Sequence, residues 1–314
     1  MSRNPFLAGK AKPIIVGHRG VPMLHQENTL AGFRRAIELG IPAVELDVRL
    51  TADRKAIVLH DHNLRRLTGC TFDVDHLAWD QIAKLRIRKR LPMGLDIHGK
   101  EILQEYDHEE RIPLLAEVLS EIAGKAAINV ELKVDMPGWW GVEIATVVAD
   151  VIRKVGVEER VIVTSFDPRK LLALAKAHDK VAYGFCFDDT MLNFARPLLD
   201  RLSPFHDRAS LPERGIRANA HRMLNRILET NLVSRLLGTK LVGAEHTLVG
   251  RDTVRRLHSR GTAIGTHTLF PMGSTTTKSL SPAAYTEAEV DRLVDIGVDW
   301  IETDDPERLQ KLIG

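Results

Sequence analysis

Short β-branched and apolar runs alternate with longer segments of helical period along most of the 314 residues, and this alternation constrains the fold more than any other feature. Parallel strands joined by crossover helices are its natural outcome. Pro13-Ile-Ile-Val-Gly17 reads as a buried strand, followed by a helix over 28–39 with Asn28 or Thr29 as N-cap and Gly40 as the stop. Further strands are expected at 43–48, 56–60, 127–133, 160–165, 181–186, 240–244, 262–267 and 298–302, with helices at 113–122, 141–155, 251–260 and 286–296. Asp167-Pro168 and Asp305-Pro306 each pair an N-cap with a proline at the first helical position. No GxGxxG follows the first strand, so a doubly wound dinucleotide fold is the weaker competitor. The reading is α/β, a closed (β/α)8 barrel in one domain over 1–314, with 61–112 and 187–239 standing outside the repeat as insertions.

Composition narrows the classes of function. With 44 Lys+Arg against 42 Asp+Glu, the net charge of +2 offers no polyanion partner, so no nucleic acid is expected. Arg86-Ile-Arg-Lys-Arg90 is an isolated basic run without an aromatic platform and reads as a solvated face. Cys70 and Cys186 cannot build a disulfide framework and read as reduced thiols. Pro5, Gly9 and Lys10 break any signal-peptide core, and no apolar run is long enough to span a bilayer. A soluble cytoplasmic protein is expected.

The chemistry is written where polar residues interrupt apolar strands. Glu45 and Asp47 lie two apart on one strand and share a face, while Val44, Leu46 and Val48 point the other way. Glu131 repeats the pattern on another strand, with Lys133 on its face. Three carboxylates converging at a barrel mouth need a cation between them: either a hard divalent ion, Mg²⁺ or Ca²⁺, or a salt-bridge cluster with Lys133, Arg19 or Arg49. His18 follows the first strand and His60 ends the third, which places two imidazoles at strand C-termini beside those carboxylates, suited to giving and taking a proton. Arg19 offers a planar fork of donors for phosphate oxygens.

His18-Arg19-Gly20 with Glu27-Asn28-Thr29, then Glu45-Leu-Asp47, His60-Asp61, Glu131-Leu-Lys133 and Thr303-Asp304-Asp305-Pro306 together resemble the glycerophosphodiester phosphodiesterase family. The resemblance covers about 13–185 and 240–312 and lies in the ordered set, not in any single piece. It implies a TIM barrel with a small insertion after the third strand, here about 62–111. It implies a divalent metal ion held by Glu45, Asp47 and Glu131, His18 and His60 as the acid/base pair, and Arg19 and Lys133 as phosphate and substrate contacts. The implied reaction is hydrolysis of a small-molecule glycerophosphodiester to glycerol 3-phosphate and an alcohol. A lysophospholipase D on the same barrel is the enzymatic alternative, and a non-catalytic phosphate-binding barrel the rival from another class.

Two features depart from the family. Where the family carries a tryptophan and a polar pair near its next-to-last strand, this chain has Gly265-Thr-His-Thr-Leu269, which leaves the role of His267 open. The segment 187–239 exceeds what the family requires. In it Leu224, Ile227, Leu228, Leu232 and Leu236 fall at helical spacing, with Arg217, Arg222, Arg226 and Arg235 elsewhere on the wheel. Such a helix either packs on the barrel or on another subunit, or makes a peripheral membrane contact. Trp139-Trp140 either walls the pocket or starts a packed helix.

Overall fold

Strands and crossovers alternate as the sequence pattern requires, and the sheet they build closes on itself. The structure is a computed structural model that describes residues 4–9, 11–134, 141–188, 225–273 and 281–314. Its strands are β1 Ile14–Gly17, β2 Ala43–Leu50, β3 Ala56–Val58, β4 Arg90–Leu95, β5 Glu101–Glu105, β6 Ala127–Leu132, β7 Val161–Ser165, β8 Ala182–Phe187, β9 Leu241–Glu245, β10 Ala263–Leu269 and β11 Trp300–Thr303. The helices are α1 Leu30–Glu38, α2 Arg65–Thr68, α3 Trp79–Ile82, α4 Leu115–Ile122, α5 Glu143–Val155, α6 Pro168–Ala177, α7 Leu232–Leu237, α8 Arg251–His258, α9 Glu287–Ile296 and α10 Pro306–Ile313. The main sheet has nine strands in the order β1-β11-β10-β9-β8-β7-β6-β2-β3, and a further β1–β2 pairing closes it. All pairs but β2–β3 are parallel, which leaves eight parallel strands in the barrel.

The expected third barrel strand, 56–60, is corrected by this topology. β3 stops at Val58 and runs antiparallel to β2, with Val48 opposite Val58 and Leu50 opposite Ala56. The link 51–55 is far too short for a crossover helix and forms a tight turn instead, with Arg54 at φ 62° and the Lys55 amide donating to Thr51 Oγ1 at 2.9 Å. The barrel continues from β2 directly to β6. Between them, residues 61–112 carry α2, α3 and the β4–β5 hairpin over an apolar cluster of their own, including Leu59, Leu64, Leu67, Ile82 and Leu91. This region docks beside the barrel mouth, where Tyr106 Oη donates to the Pro22 carbonyl at 2.8 Å.

Alternation along each strand divides the core in two. Val44, Leu46 and Val48, for instance, face the helices and join the large outer cluster. The inward floor is Ile14, Val16, Ala43, Ala127, Ile162, Leu241 and Trp300, plugged from below by Phe6, whose ring meets the indole edge-on at 5.5 Å. Each such aliphatic side chain removed from water contributes about 1.5–3 kcal/mol. Gly265 makes room for the indole: a Cβ there would lie 1.7 Å from Trp300 Cε2. Above this floor the inward positions turn polar.

Both proline caps form as expected, with Asp167 accepting from the Arg169 amide and Asp305 from the Arg308 amide. In the second insertion, Leu224, Arg217 and Arg222 lie outside the described residues, as do Trp139 and Trp140. The described part, 225–230 and α7, is broken at Asn231 (φ 53°); Leu228 and Leu237 are buried, while Leu232 and Leu236 are exposed. Among the described residues no helix is long and apolar enough to cross a membrane.

Candidate active site

Period-two alternation continues upward through the barrel and delivers the polar residues to one end. Glu45 and Asp47 rise on β2, Glu131 and Lys133 on or just past β6, and His18 and Arg19 follow β1. Asp47 sits in register with Glu131 across the parallel pair. Carboxylate oxygens of Glu45, Asp47 and Glu131 come within 4.8 Å of one another. Three of their oxygens, Glu45 Oε1, Asp47 Oδ1 and Glu131 Oε1, are buried, with no well-aligned hydrogen bond from any described residue. Lys133 Nζ stands 3.2 Å from Asp47 Oδ1 and 2.9 Å from Glu131 Oε1, an ion pairing that leaves Glu45 Oε1 without a cation among the described residues. The salt-bridge arrangement and a cluster of three converging carboxylates therefore coexist. The set is all oxygen, which suits a hard divalent ion.

The other side chains of the cleft are held from behind. Arg19 takes a left-handed conformation (φ 56°) that turns its amide onto Glu45 Oε2 at 3.0 Å, while Nη1 donates to Glu27 at 3.1 Å and Nε lies 3.2 Å from Asp47 Oδ2. Asn28, also at positive φ (60°), exchanges two hydrogen bonds with Asp47, donating to Oδ2 at 2.8 Å and accepting from its amide at 3.1 Å. His18 Nδ1 lies 2.6 Å from Asp304 Oδ1, with Nε2 3.9 Å from Glu45 Oε2. His60 Nδ1 lies 2.8 Å from Asp61 Oδ1. Arg66 of α2 then ties Asp61 (2.6 Å) to Glu27 (2.8 and 2.9 Å), which fastens the insertion to the cleft. His60 itself stands two residues past an antiparallel strand, not at a parallel strand end as expected, yet reaches the same cleft.

Charge crowding sets the protonation states. Burial, then the carboxylates of Asp47, Glu302 and Glu131, raise the Glu45 pKa well above its ordinary value. Burial works the same way on Asp47, but the cations of Lys133 and Arg19 hold it well below. Desolvation and then the nearby Arg19 and Lys133 push His60 down to about 4. Glu302, missed by the sequence analysis, lies under the site, accepts from Asn129 Nδ2 at 2.8 Å and Trp300 Nε1 at 3.2 Å, and is raised by burial to about 7. Also missed were Arg66 and His246. The cleft, about 450 Å³, is lined by His18, Arg19, His60, Lys133, Phe166 and His267 among others.

The sequence profile of the Glycerophosphoryl diester phosphodiesterase family matches residues 18–308, from the first histidine of this cleft into the last helix. The chain belongs to that family. As a glycerophosphodiester phosphodiesterase it is a hydrolase acting on phosphoric diesters, carried on a TIM barrel. A glycerophosphodiester phosphodiesterase of Caldanaerobacter subterraneus is 33% identical over 177 residues, 56% of this chain and 67% of its own length. The Bacillus subtilis protein YqiK is 29% identical over 259 residues, 82% of this chain and 95% of its own. A human protein named lysophospholipase D is 32% identical over 120 residues, only 36% of its own length. Among solved structures, a glycerophosphoryl diester phosphodiesterase-family protein of Silicibacter pomeroyi superposes with a TM-score of 0.69 at 22% identity, covering 98% of this chain and 95% of its own. A phosphodiesterase of Oleispira antarctica, solved with its product sn-glycerol-3-phosphate, gives a TM-score of 0.62 at 17% identity, covering 96% and 97%. At such identities these two carry the fold alone.

Proposed function

We propose that this phosphodiesterase cleaves small glycerophosphodiesters to glycerol 3-phosphate and an alcohol, with Glu45, Asp47 and Glu131 holding Mg²⁺ or Ca²⁺ and with His18 and His60 moving the protons. The observation that carries the reading is the trio of carboxylates whose oxygens converge within 4.8 Å with the Lys133 ammonium between two of them, flanked by two imidazoles each anchored through Nδ1 to a carboxylate. When bound, the ion would supply Lewis-acid stabilisation of the phosphoryl charge. Arg19 and Lys133, at the same end of the cleft, add fixed positive charge for the phosphate oxygens.

His60, neutral near pH 7 and held by Asp61 on Nδ1, keeps a lone pair on Nε2 and is the base. It takes the proton of the glycerol 2-hydroxyl as that oxygen forms its bond to phosphorus. His18, anchored to Asp304 and near Glu45, is the acid: it gives its proton to the departing oxygen as the other P–O bond breaks. The alcohol leaves and a cyclic phosphate of glycerol remains. His18, now neutral, then accepts a proton from water as the water oxygen bonds to phosphorus, and His60 returns its proton to the 2-oxygen, opening the ring to glycerol 3-phosphate. The test is release of glycerol 3-phosphate from a panel of diesters and a long-chain lysolipid, with EDTA, Mg²⁺ and Ca²⁺. Activity lost to EDTA and restored by one ion is expected. Turnover indifferent to EDTA removes the ion from the reading, and turnover of the lysolipid alone turns it toward lysophospholipase D.

A further inference from the structure

The wall of the cleft formed by β9 and β10 carries two imidazoles that the proton transfers above leave unused. In the closed barrel β9 lies four strands from β2 in either direction, so this wall faces the carboxylate cluster across the mouth. A diester with its phosphate at Arg19 and Lys133 has room in the shared cleft to extend one of its two alcohols toward this wall. His267, inward on β10, lines the cleft with its Nε2 buried and without a hydrogen-bond partner among the described residues. Its ring is braced by Phe166, edge-on at a centroid distance of 6.0 Å. Burial, then the neighbouring His18, His246 and Lys133, push the His267 pKa down to about 3, so the ring is neutral. A buried polar atom with no partner costs about 1–3 kcal/mol, which a ligand donor would relieve where the ring proton sits on Nδ1.

His246, just past β9, is oriented by a different device. Its Nδ1 lies 2.6 Å from Glu289 Oε1, and Arg292 grips that carboxylate at 2.6 and 2.8 Å. Although burial opposes ionisation, Arg292 and His246 bring Glu289 down to about 2, so the carboxylate is charged and accepts from Nδ1–H. A neutral ring held in this way presents Nε2 as its acceptor nitrogen, and the ring lines the cleft. Glu245 at the end of β9 and Asp188 just past β8 also line the cleft, and carboxylates there discriminate between cationic head groups only weakly by substitution. The imidazoles ask for something narrower.

We propose that His246 and His267 form the subsite for the leaving alcohol, selecting head groups that carry a hydrogen-bond donor, a primary ammonium or a hydroxyl, against a quaternary ammonium. The proposal rests on the diesterase reading above. Ethanolamine and choline make the matched comparison, because they share charge and length and differ in the donor. A site built around a hydrogen bond rejects the analogue that lacks it far more strongly than an apolar pocket rejects a methyl group.

The experiment measures kcat/KM for glycerophosphoethanolamine, glycerophosphocholine and glycerophosphoglycerol on the wild-type enzyme, H267F and H267Q. The wild type is expected to favour at least one donor-bearing diester over the choline diester by about 10-fold or more. Preference for ethanolamine assigns the donor to an ammonium, and preference for glycerol assigns it to a hydroxyl. H267F keeps ring volume without nitrogen and should bring the preference close to one, whereas H267Q should retain part of it. A wild-type ratio near one overturns the subsite even if neither variant folds, as does H267F lowering all three diesters by the same factor. Absence of glycerol 3-phosphate from every diester instead sinks the diesterase reading, and this subsite with it.

Discussion

His18 and His60 are anchored alike, each through Nδ1 on a carboxylate, but their surroundings differ. His60 sees Arg19 and Lys133, which favour its neutral form, and His18 sees Asp304 and Glu45. If the first is base and the second acid, His18→Ala and His60→Ala should each lower kcat by about 10²–10⁴-fold, with the double variant well short of the product. A glycerophosphodiester with a nitrophenolate leaving group needs little protonation on departure. It should rescue His18→Ala and leave His60→Ala impaired; the reverse pattern would exchange the two roles. The acid limb of the kcat/KM profile should lie below the ordinary histidine value near 6.5, because His60 must lose its proton to act and its pKa is depressed. An acid limb at or above that value would remove His60 as base.

At the scale of elements, two-residue spacing on a strand made the site legible. Glu45 with Asp47 and Glu131 with Lys133 were found that way, and the closed barrel followed from the strand–helix alternation. The same rule applied to β11 puts Trp300, Glu302 and Asp304 on one inward face, and applied to β10 adds Gly265 and His267; neither set was drawn from the sequence. What no spacing rule reveals is partnership across elements: Arg66 of the insertion on Glu27, or Glu289 of α9 on His246. The antiparallel β3 was legible after all, since 51–55 cannot hold a crossover. Gly265 yields a direct prediction. Gly265→Ala puts a methyl group into the Trp300 indole, so stability should fall by about 1–3 kcal/mol, read as a lowered denaturant midpoint at unchanged slope. The Glu289 contact yields another. Its folded pKa of about 2 lies below the ordinary 4.5, so its stabilisation is present above pH 4.5 and is lost as pH falls toward 2. Glu289→Gln should be less stable by ~2 kcal/mol at neutral pH, with the gap narrowing across that acid window. A gap that does not change with pH would mean that packing, not charge, carries the contact.

For the whole molecule, the barrel concentrates apolar packing at its floor and crowded carboxylates at its mouth, and the two pull stability in opposite directions. Glu45 and Glu302 both have folded pKa values raised above the ordinary 4.5, Glu302 to about 7. Between 4.5 and those values these two carboxyls hold protons in the fold that the unfolded chain releases, so each costs stability as pH rises, while His60 and His267, neutral in the fold and charged in the unfolded chain below 6.5, contribute with the opposite sign. A divalent ion offsets the carboxylates' cost. Its ligands must be deprotonated and it binds the folded state preferentially, so the rise in Tm on adding Mg²⁺ or Ca²⁺ should grow with pH over the same range. Glu45→Gln separates the two contributions in one protein. Without metal, removing the Glu45 carboxylate should raise Tm relative to the wild type, by more as pH rises above 4.5. With metal, the same variant should gain far less than the wild type, because a carboxylate of the donor set is gone. Asp47→Asn should also lose the ion response, but without the metal-free gain, since Asp47 is held ionised by Lys133 and Arg19 and its removal leaves those two cations uncompensated. Equal ion-induced shifts in wild type and both variants would place any bound ion elsewhere, and would leave the mouth of the barrel as a salt-bridge cluster alone.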